Sequence, residues 1–226
     1  MKNVNSKIFS KKIRAHSLRM VSASNSSHIG SCLSVADILA VLFTNILKIF
    51  PKKPKNINRD RLIFSKGHAS AIYYAALAEF GFFNVKKLEN FCENNSNLFG
   101  HVTKNNVPGV EFSTGSLGHG LPVASGIALS LKKKKRKNKV YCIISDGECD
   151  EGSTWESALF SSHHKLNNLT VIIDHNKIQS FGKVSKILNL YPLAKKWKTF
   201  NWDVKEVDGH SHSDLLKNLI TQKQNR

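Results

Sequence analysis

The stretch KVYCIISDGECDEGSTWESALFSSHHKLNNLTVIIDHN, residues 139–176, decides the fold class. Its apolar runs at 139–145 and 169–174 have the length and composition of buried strands, and the segment 153–165 between them is predicted to be helical. A helix that joins two strands of one sheet makes them parallel, with a right-handed crossover. The stretch therefore predicts one strand-helix-strand unit of a parallel sheet.

The rest of the chain repeats this alternation. Further strands are predicted at 61–66 and 202–207, and further helices at 69–80 and 213–220. Ser34 followed by Asp37 has the spacing of a capping box, which predicts a helix from there through Leu47. We expect an α/β fold, a parallel sheet covered by helices on both faces, in a single domain over residues 1–226.

The composition is basic but argues against a nucleic-acid partner. The formal net charge is +18, yet only six of the 34 Lys and Arg residues are Arg, whereas bidentate phosphate recognition favours arginine. Lysines are spread along the whole chain. The densest run, Lys132–Lys137, has the composition of a polyanion-binding patch, but it lies between an apolar stretch and a predicted strand. We interpret it as a solvated helix-to-strand loop.

Cysteine usage and hydropathy point to a reduced, cytoplasmic protein with no membrane partner. The four cysteines form no CxxC pair, and Cys142 lies inside a predicted strand, where a thiol packs as a small apolar group. The apolar run Val35–Phe43 is interrupted by Asp37, so we expect no stretch long enough to cross a bilayer. The first twelve residues contain no apolar signal core.

Acidic residues are concentrated immediately after the strand at 139–145. Five of the 16 Asp and Glu residues lie within residues 145–156. Asp146 follows this strand directly, and Asn176 follows the strand at 169–174 by two residues, so both side chains are expected at the carboxyl edge of the sheet, where ligands bind. A carboxylate, an amide oxygen and a nearby backbone carbonyl suit Mg²⁺ or Ca²⁺ that shares its ligands with a phosphate.

An acidic strand-to-helix turn has a simpler interpretation, which stays open at this point. Such clusters are often helix caps and solvated loops. On the cation interpretation we expect Glu148 and Asp150 to face water, while Glu151 and Glu156 orient neighbours or cap the helix. An EF-hand is excluded, because its sixth position would be Glu151 where glycine is needed.

Glycines and histidines add candidate ligand contacts. Gly147 lacks a Cβ and would let an anion approach the backbone beside Asp146. Gly115, Gly118 and Gly120 precede an apolar helix in the order G-x-x-G-x-G, which a plain tight turn would also explain. Three loop histidines, His28, His68 and His101, have glycine nearby, and His68 ends the strand at 61–66. Imidazoles bind phosphates and move protons near neutral pH.

Four segments together resemble the transketolase family, and most closely its split form, in which the first third of the enzyme is a separate chain. They are SSHIGSCLSVADILAVLF (26–43), RLIFSKGHASAIYYAAL (61–77), STGSLGHGLPVASGIAL (113–129) and SDGECDEGSTWESALFSSHHKLNNLTVIIDHNKIQ (145–179). The last resembles the thiamine diphosphate signature, which opens on an aspartate-glycine pair and ends on an asparagine about thirty residues later. The resemblance runs from about Lys11 to His210.

The resemblance implies a thiamine diphosphate-binding fold and a role for each site residue. Mg²⁺ would be held by Asp146, Asn176 and the backbone carbonyl of Ile178. The residues implied in cofactor binding are His68, Gly115, Ser116, Leu117, Gly147, Glu151 and Asn176. The implied catalytic residues are His28, His68 and His101, of which His28 and His101 would face a sugar phosphate. His119 and His210 are secondary candidates. The implied reaction is transfer of a two-carbon ketol unit, as in the pentose phosphate pathway.

The resemblance also implies a partner and leaves alternatives. In this family a glutamate from a second domain activates the aminopyrimidine of the cofactor, so we expect a C-terminal transketolase subunit that carries this pyrimidine domain. The chain also ends early relative to the family, after VDGHSHSDLLKNLI. The alternatives are a 1-deoxyxylulose-5-phosphate synthase-like or E1-α-like subunit, since GSLGHG and VDGH do not separate these from transketolase, and a degenerate subunit without catalysis.

Overall fold

The structure, a computed structural model, describes residues 4–224, with the side chains of residues 4–220. Its α-helices are α1 (Ser6–Ala23), α2 (Ile29–Val41), α3 (Ser70–Glu79), α4 (Gly120–Lys133), α5 (Gly152–His163), α6 (Val184–Ile187), α7 (Leu193–Thr199) and α8 (His212–Gln224). Its strands are β1 (Arg61–Phe64), β2 (Val140–Ser145), β3 (Leu169–Asp174), β4 (Ile178–Gln179) and β5 (Gly182–Lys183). A π-helical turn (Leu42–Ile46) follows α2, and a 3₁₀ turn (Asp146–Asp150) joins β2 to α5.

Contacts divide the described chain into two compact units, and each is described by itself. Unit 1 comprises residues 4–60, 67–115 and 207–224, and unit 2 comprises residues 61–66 and 116–206.

Unit 2 contains the parallel sheet. Its order is β1-β2-β3, all parallel, and the register pairs Ser145 at the end of β2 with Asp174 at the end of β3. The strands predicted at 61–66, 139–145 and 169–174 and the helix between the last two are confirmed, with bounds that differ by no more than two residues. The α/β class with a parallel sheet and helices is confirmed.

The predicted strand at 202–207 is wrong, because no strand is formed there in the described chain. Trp202 instead donates its indole N–H to the carbonyl oxygen of Ala158 at 3.0 Å. The three tryptophans pack together: the ring centroid of Trp197 lies 5.6 Å from that of Trp155 and 5.2 Å from that of Trp202. This aromatic packing, rather than a backbone ladder, fixes the segment.

Unit 1 is built on α1, α2 and α3, which pack on one another. The sequences of α2 and α3 are apolar on nearly all sides, and most of their residues are buried, as expected for helices inside a core. The rings of Phe9, Phe43 and Phe80 pack together, with the Phe43 and Phe80 centroids 5.5 Å apart. The helix expected at 69–80 is α3.

The expectation that no segment has the length of a membrane span is wrong. Helix α2 with its π-helical turn, Ile29–Ile46, is long and apolar enough by length and composition alone, with a mean hydropathy of 1.8 over 18 residues. However, 61% of that window is buried inside the protein. The core helix of a soluble protein passes the same test, so the segment is weak evidence for a membrane partner.

The capping box predicted at Ser34 and Asp37 is also wrong. Helix α2 begins earlier, at Ile29, after His28 in a left-handed conformation with φ of 73°. Asp37 lies inside the helix and is buried. Its carboxylate accepts hydrogen bonds from Ser10 and Arg14 of α1 and from the histidines named next. Sequence spacing alone did not reveal these donors, which come from distant parts of the chain.

The C-terminal segment of unit 1 meets the same carboxylate. His210 Nδ1 lies 2.9 Å from one oxygen of Asp37, and His212 Nε2 lies 2.9 Å from the other. Burial opposes ionisation of Asp37, but the hydrogen bonds from Arg14, Ser10 and the two histidines outweigh it and hold the pKa of the carboxyl well below its usual range. His210 therefore contacts a structural carboxylate.

Two predictions about composition hold in the structure. Cys142 is buried in β2, and all four cysteines are free thiols. The run Lys132–Lys137 ends α4 and begins the loop that leads to β2, and all six side chains are exposed. The ammonium of Lys132 donates to the carbonyl oxygens of His164 and Lys165, just after α5. A positive charge at this end of a helix stabilises the helix dipole.

Candidate functional site

The ends of β2 and β3 bring Asp146 next to the segment Asn176–Ile178 in unit 2. Because Ser145 pairs with Asp174 in the parallel register, the residues that follow both strands leave the sheet at the same edge. Asp146 Oδ2 accepts a hydrogen bond from the backbone N–H of Lys177 at 2.8 Å. Lys177 lies between Asn176 and Ile178, so the carboxylate lies beside the other two residues predicted to bind a cation.

Asp146 is a buried carboxylate whose hydrogen-bond donors, among the described residues, are backbone N–H groups. Its side chain is almost inaccessible, at 1% exposure, and its second oxygen accepts from the N–H of Gly147 at 2.9 Å. Burial raises the pKa of Asp146, and the hydrogen bonds from Lys177 and Gly147 offset only part of that rise. A cation next to the carboxylate would supply the missing compensation.

Asn176 and Ile178 are the other two residues predicted to offer hard oxygen donors. Asn176 Oδ1 accepts from the backbone N–H of Ile178 at 3.0 Å, and Lys177 between them has a φ of 66°. This turn fixes the amide oxygen, which keeps a second lone pair. Within residues 4–224, no three His, Cys, Asp or Glu side chains are grouped so as to hold a metal ion. The donors therefore fit Mg²⁺ or Ca²⁺ and do not fit zinc.

The expectation that Glu148 and Asp150 face water is wrong for Glu148, which is fully buried at 0% exposure. Its carboxylate accepts from Ser65 Oγ, from Ser145 N at 2.9 Å and from Gly118 N at 3.3 Å. Burial raises its pKa, and these hydrogen bonds offset part of the rise. The run of acids in the sequence did not show that neighbouring strands would supply donors.

Asp150 is partly buried and contacts the β4 strand. Its Oδ2 accepts from Gln179 Nε2 at 2.8 Å, while Oδ1 is buried without a hydrogen-bond partner among the described residues. The same Gln179 side chain covers Gly147: a Cβ on Gly147 would lie 3.1 Å from Gln179 Cδ. The Gln179 side chain therefore packs tightly on Gly147, and a larger residue there would require this flexible side chain to move slightly.

Glu151 precedes α5 but does not cap it. Within the described chain, its side chain makes no capping hydrogen bond, and the residue is exposed. The capping box at this turn is formed instead by Ser145 and Glu148. Glu151 lies against the glycine loop, since a Cβ on Gly118 would come within 2.6 Å of Glu151 Cβ. The cap interpretation of the acidic cluster is therefore correct for Glu148 and wrong for Glu151.

The glycine loop Ser116–Gly120 precedes α4 in unit 2. The ring of His119 is exposed, and its Nδ1 lies 2.8 Å from the carbonyl oxygen of Leu117. Gly118 has a φ of 73°, and a Cβ on Gly120 would lie 2.2 Å from Ser65 Oγ. The glycines at 118 and 120 are thus required by the local backbone and by packing against the end of β1.

Unit 1 gathers the three predicted histidines into one cluster. The ring centroid of His28 lies 5.2 Å from that of His68 and 6.2 Å from that of His101. Gly115 belongs to the same group, because a Cβ there would lie 3.1 Å from His101 Cδ2. Three separate segments of the chain supply these rings.

The histidine cluster changes the pKa of His28, and it includes one residue, Ser31, that the sequence did not predict. Burial, and then the charge of His101, lower the pKa of His28, which favours the neutral imidazole that is able to accept a proton. Ser31 Oγ lies 2.7 Å from His68 Nε2. Sequence reasoning missed Ser31, although its position one helical turn after His28 was the available signal.

Comparisons with known proteins agree with this geometry. The family model described as "Transketolase, thiamine diphosphate binding domain" matches residues 5–226. An apulose-4-phosphate transketolase subunit of Actinobacillus succinogenes is 43% identical over 192 residues, which is 85% of this chain and 70% of that protein. The 6-deoxy-6-sulfo-D-fructose transketolase subunit of a Clostridium species is 37% identical over 204 residues, with 90% and 74% covered.

A solved structure gives the same result. The transketolase of Campylobacter jejuni superposes with a TM-score of 0.91 at 34% sequence identity, over 98% of this chain and 36% of that one. The chain therefore spans most of the length of the transketolase subunits that it matches but only about a third of that transketolase. Sequence and structure together show that the chain belongs to the transketolase family, in which it corresponds to the thiamine diphosphate-binding domain.

Proposed function

We propose that the chain is the N-terminal subunit of a split transketolase, which transfers a two-carbon ketol unit between sugar phosphates with thiamine diphosphate and Mg²⁺. The observation that carries this proposal is the position of the buried Asp146 carboxylate against the segment Asn176–Ile178, at the carboxyl edge of a parallel sheet. The family match supports thiamine diphosphate as the cofactor.

In this proposal the unit 2 residues hold the cation and the cofactor. Asp146, Asn176 and the carbonyl oxygen of Ile178 would bind Mg²⁺, with Ca²⁺ as a possible substitute, since all are hard oxygen donors. Ser116, Leu117, Gly147 and Glu151 would contact the cofactor. When bound, thiamine diphosphate supplies the electron sink for carbon–carbon cleavage. The chain supplies fixed donors and excludes water from the Asp146 carboxylate.

The histidine cluster of unit 1 has a separate part in the proposal. A neutral His28 is able to accept a proton from a sugar hydroxyl near neutral pH, and burial together with the charge of His101 favours this neutral form by lowering its pKa. His101 would bind the substrate. His68, which is fixed by Ser31, would contact the cofactor together with Gly115.

A partner chain is part of the proposal. The relatives named above are called subunits, and the partner of this chain would carry the pyrimidine domain and its activating glutamate. Exposed apolar side chains in unit 2 support a partner surface: Ile178, Phe181, Ile187, Leu188 and Tyr191, with Phe181 92% exposed. Large apolar side chains left exposed in one stretch of the chain are expected at an interaction surface.

The sugar and the compartment also belong to the proposal. The two relatives are named for different sugars, so the acceptor is to be found by assay, with pentose-pathway ketose and aldose phosphates tested first.

The four free cysteines support a reducing compartment such as the cytoplasm.

The test uses the full chain mixed with the C-terminal transketolase subunit from the same genome. Calorimetry should show thiamine diphosphate binding with Mg²⁺, or with Ca²⁺, and no binding in EDTA. The loaded complex should then convert a ketose phosphate and an aldose phosphate into two new sugar phosphates. Cation-independent binding would contradict the metal assignment. Release of CO₂ from pyruvate would favour the deoxyxylulose-phosphate synthase or E1 alternative, and cofactor binding without any turnover would favour a degenerate subunit.

A further inference from the structure

We propose that Glu148 and Ser153 are positioning residues that clamp the glycine loop Ser116–Gly120 from two sides and hold it ready for its ligand. Neither residue is among those assigned above to the cofactor or the cation. The contacts of Glu148 and Ser153 with the loop are observed within unit 2, and only the identity of the ligand rests on the proposed function.

Glu148 ties the loop to two strands. Its fully buried carboxylate accepts from Ser65 just after β1, from the N–H of Ser145 at the end of β2 and from the N–H of Gly118 in the loop. A buried carboxylate is tolerated only when it is hydrogen-bonded, so these contacts depend on one another. Removing the side chain would leave buried N–H and O–H donors without an acceptor.

Ser153 holds the same loop residue from the other side. Its hydroxyl, in the first turn of α5, donates to the carbonyl oxygen of Gly118 at 2.8 Å. The N–H of Gly118 is bonded to Glu148 and its C=O to Ser153, so both polar groups of this residue are committed. A Cβ on Gly118 would lie 2.5 Å from Ser153 Oγ, so Ser153 packs too closely for a side chain at this position.

The clamp acts on the part of the loop that the proposed function uses. Ser116 and Leu117, assigned above to the cofactor, directly precede the clamped Gly118. A loop that is already ordered loses less conformational freedom when its ligand binds. Loss of either clamp residue should therefore weaken ligand binding without removing any group that touches the ligand.

The first test measures loop order in the full chain without cofactor, by hydrogen exchange of peptides that cover residues 114–121. Ser153→Ala should raise exchange in these peptides about 2- to 10-fold, the equivalent of one hydrogen bond. Glu148→Gln should raise it further, because an amide cannot accept from all three donors. Ser153→Thr keeps the hydroxyl and should restore protection. The matched controls are Ser130→Ala and Glu206→Gln, which change exposed residues of unit 2.

The second test uses the complex with the partner chain. Ser153→Ala and Glu148→Gln should raise the apparent KM for thiamine diphosphate while kcat at saturating cofactor stays near the wild-type value. Unchanged loop exchange in Ser153→Ala overturns the proposal, even where a Glu148 variant does not fold. A fall in kcat without a change in KM also overturns it. Loosened loops in a chain whose wild type binds no thiamine diphosphate would support the clamp and contradict the proposed function.

Discussion

Asp37 in unit 1 and Asp146 in unit 2 are both buried carboxylates, and their surroundings are opposite. Asp37 is met by the Arg14 guanidinium, by Ser10 and by two imidazoles, and its pKa is lowered. Asp146 is met by two backbone N–H groups, and its pKa is raised. The first carboxylate is compensated by its own chain, whereas the second is compensated only in part.

This difference separates a structural acid from a ligand-binding acid. A buried charge whose partners are all present gains nothing from an added cation. A buried charge such as Asp146, whose hydrogen bonds and interaction with His175 offset only part of the cost of burial, is stabilised further when a cation binds beside it. On this argument Asp37 joins α1, α2 and the start of α8, whereas Asp146 has the surroundings expected of the proposed Mg²⁺ ligand.

The largest expected effect is on stability in unit 1. Asp37→Asn keeps the shape but removes the charge that compensates Arg14, so the free energy of unfolding should fall by about 3–5 kcal/mol. Urea denaturation in EDTA measures this change. Asp203→Asn, at an exposed position, is the control and should change it by less than about 0.5 kcal/mol. A small effect of Asp37→Asn would mean that the compensated carboxylate is not structural.

Asp146→Ala, the corresponding change in unit 2, should weaken binding of the cofactor more than it lowers the stability of the fold. Asp146→Ala should weaken Mg²⁺-dependent thiamine diphosphate binding about 100-fold or more, since even residues that only support a metal ligand contribute 10- to 100-fold. Without cation, the variant should lose about 1–2 kcal/mol of stability, less than Asp37→Asn, because removing an incompletely compensated charge offsets part of the cost of leaving two N–H groups without their acceptor. Calorimetry of the complex and urea denaturation of the chain test the two parts. Undiminished binding would contradict the metal assignment.

The pH dependence should have opposite signs at the two carboxylates. The lowered pKa of Asp37 gives stability that is present above its unfolded value of 3.8 and is lost as pH falls below it. The advantage of wild type over Asp37→Asn should therefore shrink in acid, by on the order of 2 kcal/mol. The raised pKa of Asp146 favours folding below 3.8, and this contribution is lost as pH rises.

Denaturation curves at several pH values between 3 and 7, in EDTA, measure both trends. Asp146→Asn should become more stable relative to wild type as pH rises, the reverse of Asp37→Asn. Parallel pH trends for the two variants would remove the distinction between the acids.

The smallest expected effects are the losses of stability in His212→Ala and His210→Ala, and the two losses should differ. The side chain of His212 is 12% exposed and that of His210 is 63% exposed. His212→Ala should lower the free energy of unfolding by about 1.5 kcal/mol or more, as expected for a shielded hydrogen bond to a charged group. His210→Ala should lower it by less than about 1 kcal/mol, because water screens its contact. Equal losses would show that exposure does not control these contacts.

The sequence predicted what depends on strand periodicity and spacing. Apolar runs located the three sheet strands, and parallel pairing placed Asp146 beside the segment that follows β3. The resemblance led to His28, His68 and His101, which the structure gathers in one cluster. These features succeed because each is determined by a local pattern or by a motif with fixed spacing.

What the sequence missed depends on partners far apart in the chain. Glu148 was expected to be solvated because the acidic segment alone does not indicate that Ser65, 83 residues away in the sequence, donates a hydrogen bond to it. Asp37 seemed to be a cap because His210 and His212 are more than 170 residues away. A usable signal did exist: an acid inside an otherwise apolar helix requires a buried partner. The strand expected at 202–207 failed because tryptophan packing replaced its pairing.

The tryptophan cluster of unit 2 has a practical consequence. Trp155 donates its indole N–H to the carbonyl oxygen of Cys149 at 2.8 Å, within the same turn that begins at Asp146, and the other two tryptophans pack nearby. Trp155 therefore contacts the turn that begins at the candidate cation ligand Asp146, and Trp197 links it to Trp202. Intrinsic emission should follow loading of the site in real time, so the native protein is its own unlabelled optical sensor.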